Sequence, residues 1–437
     1  MTSTTAIGTP TGAGPWSPLR IKVYRSLWIA GLVSNIGTFT HLLGAGWSMT
    51  TMSKSPALSA LVQAAWAIPG FILALHAGAI ADRFDRRHVI IATQLAALAV
   101  AAVLGVVQLS DHMTPTTLLI GTFLESVALT IAAPAFMAFT PELVGLRNLA
   151  QAIGLDAISR NAAQALAPML AGVLIAAAGP GTVFLFNAVS FIGVVSVARA
   201  YCPPGRQTSH HDLGPGAIRT GLRYVTARAN LRHAALQIAA LSSIGAALAA
   251  VLPLFARGRL HVSPASFGLL AAGLGLGSVV AVWGLPRIHS ASYPARAVLA
   301  SAGTWSIGTA LFALSTEVWM GIPALFLSGA GSMGALSTLF ANYTVQLPNW
   351  VRGRASAMAM LMVWLGISIG AVAWGRVASA VGLRDVLLIA AACNIVVAVV
   401  ASRLFPVAVA KLADEAQVDG GLLQVLGSRG FHACTQA

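Results

Sequence analysis

Residues 78–90 read GAIADRFDRRHVI. Two aspartates, three arginines and a histidine are crowded between two of the most apolar runs of the chain. The crowding matters because charge is scarce elsewhere. Of 437 residues, 57% are hydrophobic and 9% are charged, against about 25% charged in soluble domains. So few charges cannot cover a water-facing surface, and a bilayer is the expected main solvent. The charged stretch then reads as a short loop between two membrane spans.

Working outward, apolar runs of spanning length recur. A span needs about 20 apolar residues, and twelve such runs lie near 26–50, 57–81, 88–109, 115–139, 150–178, 181–200, 233–256, 264–286, 296–315, 320–346, 355–380 and 384–406. The first is long enough to span and stay, so no cleaved leader is expected. The one long internal connection, 201–232, divides the runs six and six. The expected fold is an all-α polytopic membrane protein of twelve transmembrane helices in two six-helix bundles. Its parts are an N-terminal tail (1–25), a first bundle (26–200), a central loop (201–232), a second bundle (233–406) and a C-terminal tail (407–437).

The net charge of +14 sits between the runs rather than on one soluble domain, so nucleic acid is not an expected partner. With the N-terminus placed inside, the outer side receives only Lys54, Arg257, Arg259, Arg376 and Arg384. By the positive-inside rule both termini and the central loop are expected in the cytoplasm, at the inner membrane of the cell. Cys202, Cys393 and Cys434 lie far apart without CxxC spacing, which supports neither a disulfide framework nor a metal site.

The halves repeat one another. Ser55-Pro56-Ala57 and Ser263-Pro264-Ala265 open spans two and eight, 208 positions apart. Pro115 and Gly121 match Pro323 and Gly329 at the same offset, and Gly172 and Gly179 match Gly375 and Gly382 at an offset of 203. Such parallel repeats are common in secondary transporters, with substrate at the repeat interface near the midplane.

Gly78-Ala-Ile-Ala-Asp82-Arg83-Phe84-Asp85-Arg86-Arg87 resembles the loop between spans two and three of the major facilitator superfamily, G-x-x-x-D-R-x-G-R-R, with Asp85 at the second glycine. With Ser34-Asn35-Ile36-Gly37-Thr38 and Ser55-Pro56, the chain is similar to the transmembrane secretion effector group, which includes enterobactin-type and macrolide-type exporters. In span five, Gly154, Ala163, Ala167-Pro168 and Ala171-Gly172 resemble the antiporter signature of the superfamily, with alanine at several glycine positions. Small residues there let helix backbones approach closely.

The resemblance implies export by alternating access in exchange for protons. It implies that Asp82 docks on the start of span eleven while Arg83, Arg86 and Arg87 latch the cytoplasmic side. Topology alone accounts for Arg86 and Arg87, but not for the aspartates. The chain departs from the group in two places. Span four lacks the arginine of many proton-coupled drug exporters and carries Glu125, and span five has Asp156, Arg160 and Gln164 where the group tends to have Asn, Phe and Arg.

Glu125 shares a helical face with Gly121, Thr122, Ala128 and Ala132, so it is expected to face protein or cavity. A charge at the bilayer centre costs roughly 2.5–3.5 kcal/mol on insertion scales, which makes Glu125 a candidate proton carrier. The plainer alternative is a neutral glutamate bonded to a neighbouring helix. Asp156 and Arg160 are four apart, a spacing that allows an intrahelical ion pair; the sharper reading has Arg160 bind an anionic substrate or respond to Glu125. His41, with Asn35 and Thr38, is a candidate cavity residue. Trp66, Trp364, Trp374, Phe136, Tyr343 and Asn342 are candidates for an aromatic pocket.

No GxxxxGKS run, HExxH, GxSxG or cysteine pair occurs, so neither an ATP-driven pump nor a membrane enzyme is indicated and no cofactor is expected. The expected partners are a small amphiphilic substrate, the proton and the bilayer, with the protein a monomer. An uptake symporter and a non-transporting membrane sensor remain the alternatives.

Overall fold

Apolar residues without β-branched bias, opened by Ser/Thr-Pro caps and closed by glycine, fold as long helices, and the computed structural model has twelve long and apolar enough to cross a membrane. It describes residues 14–201, 223–289, 294–348 and 351–404. The first half holds α1 (Lys22–Met52), α2 (Pro56–Arg83), α3 (Arg86–Leu109), α4 (Pro115–Val144), α5 (Leu149–Ala178) and α6 (Gly181–Ala200). The second holds α7 (Ala229–Gly258), α8 (Pro264–His289), α9 (Pro294–Leu314), α10 (Val318–Val345), α11 (Arg352–Val381) and α12 (Leu383–Leu404). Most of the central loop and the tail 407–437 lie outside the described residues. The helices α1 and α7 start about a turn before the apolar runs do, because charged turns such as Lys22–Arg25 and Arg232–His233 extend past the apolar stretch.

Local chemistry sets the helix ends. Ser55 and Thr114 accept from the backbone N–H of Leu58 and Thr117, with Pro56 and Pro115 at the first helical position, where the missing N–H costs nothing. The C-terminal ends of α5 and α11 pass into Gly179 and Gly382 at φ 82° and 93°, a left-handed cap that glycine adopts without strain. These glycines are repeat mates, so the two halves share their turns as well as their spacing.

The pairing of helices repeats too. In the first half α3 packs on α6 and α4, α2 on α4, and α1 on α5 and α6; in the second, α9 packs on α12 and α10, α8 on α10, and α7 on α11 and α12. Between halves the main contacts are α2 with α11 and, at the symmetry-related place, α5 with α8.

Those contacts run from one end to the middle of the helices, where Trp364 of α11 lies on Gly70 of α2 and Gln164 of α5 lies on Gly275 of α8. At the end away from the termini, Trp47 of α1 meets Phe267 of α8 with ring centroids 5.0 Å apart, and Arg257 of α7 donates to Thr50 of α1 at 3.4 Å. One apolar cluster there joins residues of both halves, among them Trp47, Val62, Ile175, Phe255, Phe267 and Leu387. At the terminus end the described clusters stay within a half: Leu27, Ile90, Phe139 and Val194 in the first, and Ile238, Leu339, Tyr343 and Ala359 in the second. Among the described residues, the apolar clusters join the halves at the far end and stay within a half at the end that carries the termini.

Candidate functional site

Three side chains from distant parts of the first half meet in its interior. Glu125 of α4, His41 of α1 and Asn187 of α6 have no solvent exposure. His41 Nδ1 lies 2.9 Å from Glu125 Oε2. Asn187 Nδ2 donates to Glu125 Oε1 at 2.6 Å and stands 3.3 Å from His41 Nδ1. The Phe184 ring closes edge-on over the imidazole at 4.7 Å. A buried carboxylate is tolerated only with partners, and here an imidazole and an amide supply them. The approach is an ion-pair contact, and Glu125 Oε2 closes no hydrogen bond of its own. His41 Nε2 meets no partner, leaving one ring nitrogen free in an apolar surround.

The expectation that Glu125 faces protein holds. The pairing with His41 was not legible in the sequence, nor was Asn187, a lone amide in an apolar span. The second half lacks the arrangement: at the 208-residue offset of α4 and α10, Met333 stands in the place of Glu125.

Helix α5 is stitched to α1 along its inner length. Tyr24 Oη donates to Ala152 O at 3.2 Å, Trp28 Nε1 to Leu155 O at 2.9 Å, and Asn35 Nδ2 to Ser159 Oγ at 3.1 Å. Asn35 is therefore an inter-helix tie rather than a free cavity group. Asp156, Arg160 and Gln164 are exposed one turn apart. Among the described residues the ion pairs are His41–Glu125, Arg86–Glu142 and His88–Asp85, so the intrahelical Asp156–Arg160 pair expected from the spacing is not formed. Four residues set the two side chains on one face, close enough to interact electrostatically but not to close a salt bridge.

The small-residue signature divides. Ala163, Ala167, Pro168 and Gly172 are buried, and Gly172 meets the start of α8 at Gly268 and the carbonyls of Pro264 and Ala265. Gly154 is exposed, with open space where a Cβ would go.

In the loop that opens α3, Asp85 is the helix N-cap and accepts from the backbone N–H of Arg87 at 2.9 Å and of His88 at 3.4 Å. That explains an aspartate at the usual glycine: its carboxylate satisfies free N–H groups at the positive end of the helix. Arg86 donates to Ala138 O at 3.3 Å and pairs with Glu142, both on α4. Arg87 donates to Ala198 O at 2.7 Å and Arg199 O at 2.5 Å, closing the last carbonyls of α6. Arg83 is exposed and leans over the Phe84 ring at 5.9 Å, and Gly78 has nothing within 4 Å of an added Cβ. In this conformation Arg86 and Arg87 bind their own half rather than latching the second. The Asp82 side chain lies outside the described side chains.

Of the aromatic pocket candidates, Tyr343 is core: it is fully buried and donates to Ala355 O at 2.8 Å. Trp364 rests on Gly70 of α2, where a Cβ would come within 2.8 Å of the indole, and Trp374 Nε1 donates to Ser243 O at 3.0 Å. Both indoles help join helices instead of lining an open pocket.

The family model of the transmembrane secretion effectors matches residues 13–423. The chain is 26% identical over 314 residues to the enterobactin exporter EntS of Citrobacter koseri, covering 70% of this chain and 73% of that protein, and equally to its counterpart from Shigella boydii. Among solved structures, the nucleoside transporter NupG superposes with a TM-score of 0.72 at 15% identity, over 88% of this chain and 100% of that one. A bacterial homologue of the human lysosomal transporter Spinster, in an inward-facing and occupied conformation, superposes with a TM-score of 0.70 at 15% identity, over 90% and 98%. At such identities the superpositions speak for the fold alone. The family match over nearly the whole chain says more: the protein belongs to the transmembrane secretion effector family of the major facilitator superfamily and is a multi-pass membrane transporter, not an enzyme.

Proposed function

We propose that the transporter exports a small amphiphilic molecule by alternating access, in exchange for protons, from the inner membrane of the cell with both termini in the cytoplasm. The observation that carries the proton-coupled reading is the His41–Glu125 pair at zero exposure in the first half. Buried ionisable groups are costly in a membrane and mark proton or substrate pathways. A proton taken up or released there would act on three helices at once, because the pair joins α1 to α4 and Asn187 ties it to α6. A proton moving down the potential supplies about 2.3 kcal/mol per 100 mV.

Export is supported by the exporter names of the relatives and by the basic side chains, which favour the terminus side and place it in the cytoplasm. A conformation open at that end is then the one that takes up substrate. One chain supplies both halves of the fold, which supports a monomer as the working unit.

The test is dye efflux from intact cells and accumulation in inverted vesicles with an imposed pH gradient, for wild type and Glu125→Gln. The wild type is expected to follow the gradient and the variant to ignore it. Transport indifferent to both the gradient and the substitution defeats proton exchange, and dye movement with the proton rather than against it defeats export.

A further inference from the structure

We propose that Arg160, with Gln164 one turn further along, is the anion-binding position of the central space, and that the transported molecule carries a carboxylate or another oxyanion. The proposal rests on the reading above that the space between the halves is the substrate path.

The direction in which Arg160 points follows from helical geometry. At about 100° per residue, Ala152, Leu155 and Ser159 define the arc of α5 bound to α1, while Pro168 and Gly172 define the arc packed on α8. Arg160 falls between these arcs. Exposed Ile158 and Met169 fall on the opposite side and form the lipid face, while exposed Ile153 shares the Arg160 face and Leu166 and Val173 lie at the angle of Leu155 and Ser159, beyond the stretch bound to α1. Arg160 is exposed toward the space between the halves, roughly 16 Å along α5 from Leu149 at 1.5 Å per residue.

Arg160 interacts electrostatically with Asp156, one turn away. It closes no salt bridge with Asp156, and Glu125 is engaged by His41 and Asn187 inside the first half. The acidic residues of the second bundle are Glu317 and Asp385, at the starts of α10 and α12, the far end. At the 203-residue offset from Asp156 and Arg160, α11 carries Ala359 and Val363, both in the apolar cluster of that half. An exposed guanidinium at membrane depth without a salt bridge offers a fork of donors to an oxyanion, and the exposed Gln164 amide adds another on the same stripe. Asp156 lies one turn nearer the terminus end, on the α1 side of the stripe.

Purified protein in detergent, titrated with three dyes that share a xanthene core, separates the charges: fluorescein is anionic, rhodamine B zwitterionic, and rhodamine 6G a cationic ester. Read by fluorescence anisotropy against empty micelles, the wild type is expected to prefer fluorescein and rhodamine B over rhodamine 6G. Arg160→Gln is expected to weaken fluorescein about tenfold or more while leaving rhodamine 6G within about twofold, and Arg160→Lys to recover part of the loss. Fluorescein binding unchanged in Arg160→Gln, or all three dyes weakened alike, overturns the proposal, as does a wild type that does not discriminate among them. Equilibrium binding needs neither gradient nor direction, so this assignment fails or stands independently of proton exchange and of export.

Discussion

Gly172 of α5 and Gly268 of α8 meet backbone to backbone: a Cβ on Gly172 would come 2.9 Å from the Gly268 Cα, and one on Gly268 would come 2.8 Å from the Gly172 Cα. The repeat mate Gly375 of α11 does the same on α2, where a Cβ would come 2.5 Å from Ala60 Cβ and 3.2 Å from Ala57 Cα. The two Ser-Pro-Ala helix openings are therefore more than caps. Each supplies the surface on which a glycine of the opposite half closes the far end, and the internal symmetry of the sequence is the symmetry of the seal. In a bilayer, where apolar burial between helices gains little, such close backbone contact is a main source of association.

A side chain at Gly172 is expected to wedge that seal. Valine there has no flexible neighbour to displace, only the backbone of α8. With spin labels at Lys54→Cys and Arg259→Cys, in a background without native cysteines, the far-end distance is expected to lengthen in Gly172→Val and in Gly375→Val. Gly154→Val, which enters open space, is the control and leaves the distribution in place. An unchanged distribution in Gly172→Val would show that the seal does not depend on this contact.

The twelve helices and their halving were legible because apolar length and charge position are one-dimensional signals. Helix ends slipped where charged turns continue a helix beyond the apolar run, as before Arg232 in α7. Glu125 was legible as an interior group from its face alone. Its partners were not: His41 and Asn187 are 84 and 62 residues away in sequence, and only the packing of α1 and α6 brings them in. The Asp156–Arg160 spacing shows reach but not occupancy, and Tyr343 shows the same for aromatic residues, since its hydroxyl went to a backbone carbonyl in the core.

Asn187→Leu removes the donor to Glu125 Oε1 without adding an acceptor. Stranding that oxygen is expected to cost about 1–3 kcal/mol, seen as a lower midpoint of thermal unfolding in detergent. In Glu125→Gln the amide can reorient, and the partner is no longer a charge. The two substitutions are in direct contact, so their effects are expected to be non-additive, with the double variant Asn187→Leu/Glu125→Gln less damaged than the sum. Simple additivity would mean that Asn187 and Glu125 do not act as a unit.

The loop GAIADRFDRRHVI now separates by residue. Asp85 is a helix cap, so Asp85→Ala is expected to lower stability by about 0.5–2 kcal/mol and to leave transport per folded molecule near that of the wild type. Asp85→Gly, which restores the usual residue of the motif, is expected to cost only a few tenths. By the family resemblance Asp82 docks on the start of α11 when the terminus end closes. Asp82→Asn is therefore expected to keep expression, insertion and melting temperature while sharply reducing dye transport. Measuring both variants as rate per correctly inserted molecule decides between the roles: a silent Asp82→Asn reduces the loop to a positive anchor with one cap, and a transport loss in Asp85→Ala at unchanged stability would move the switching role to the cap residue.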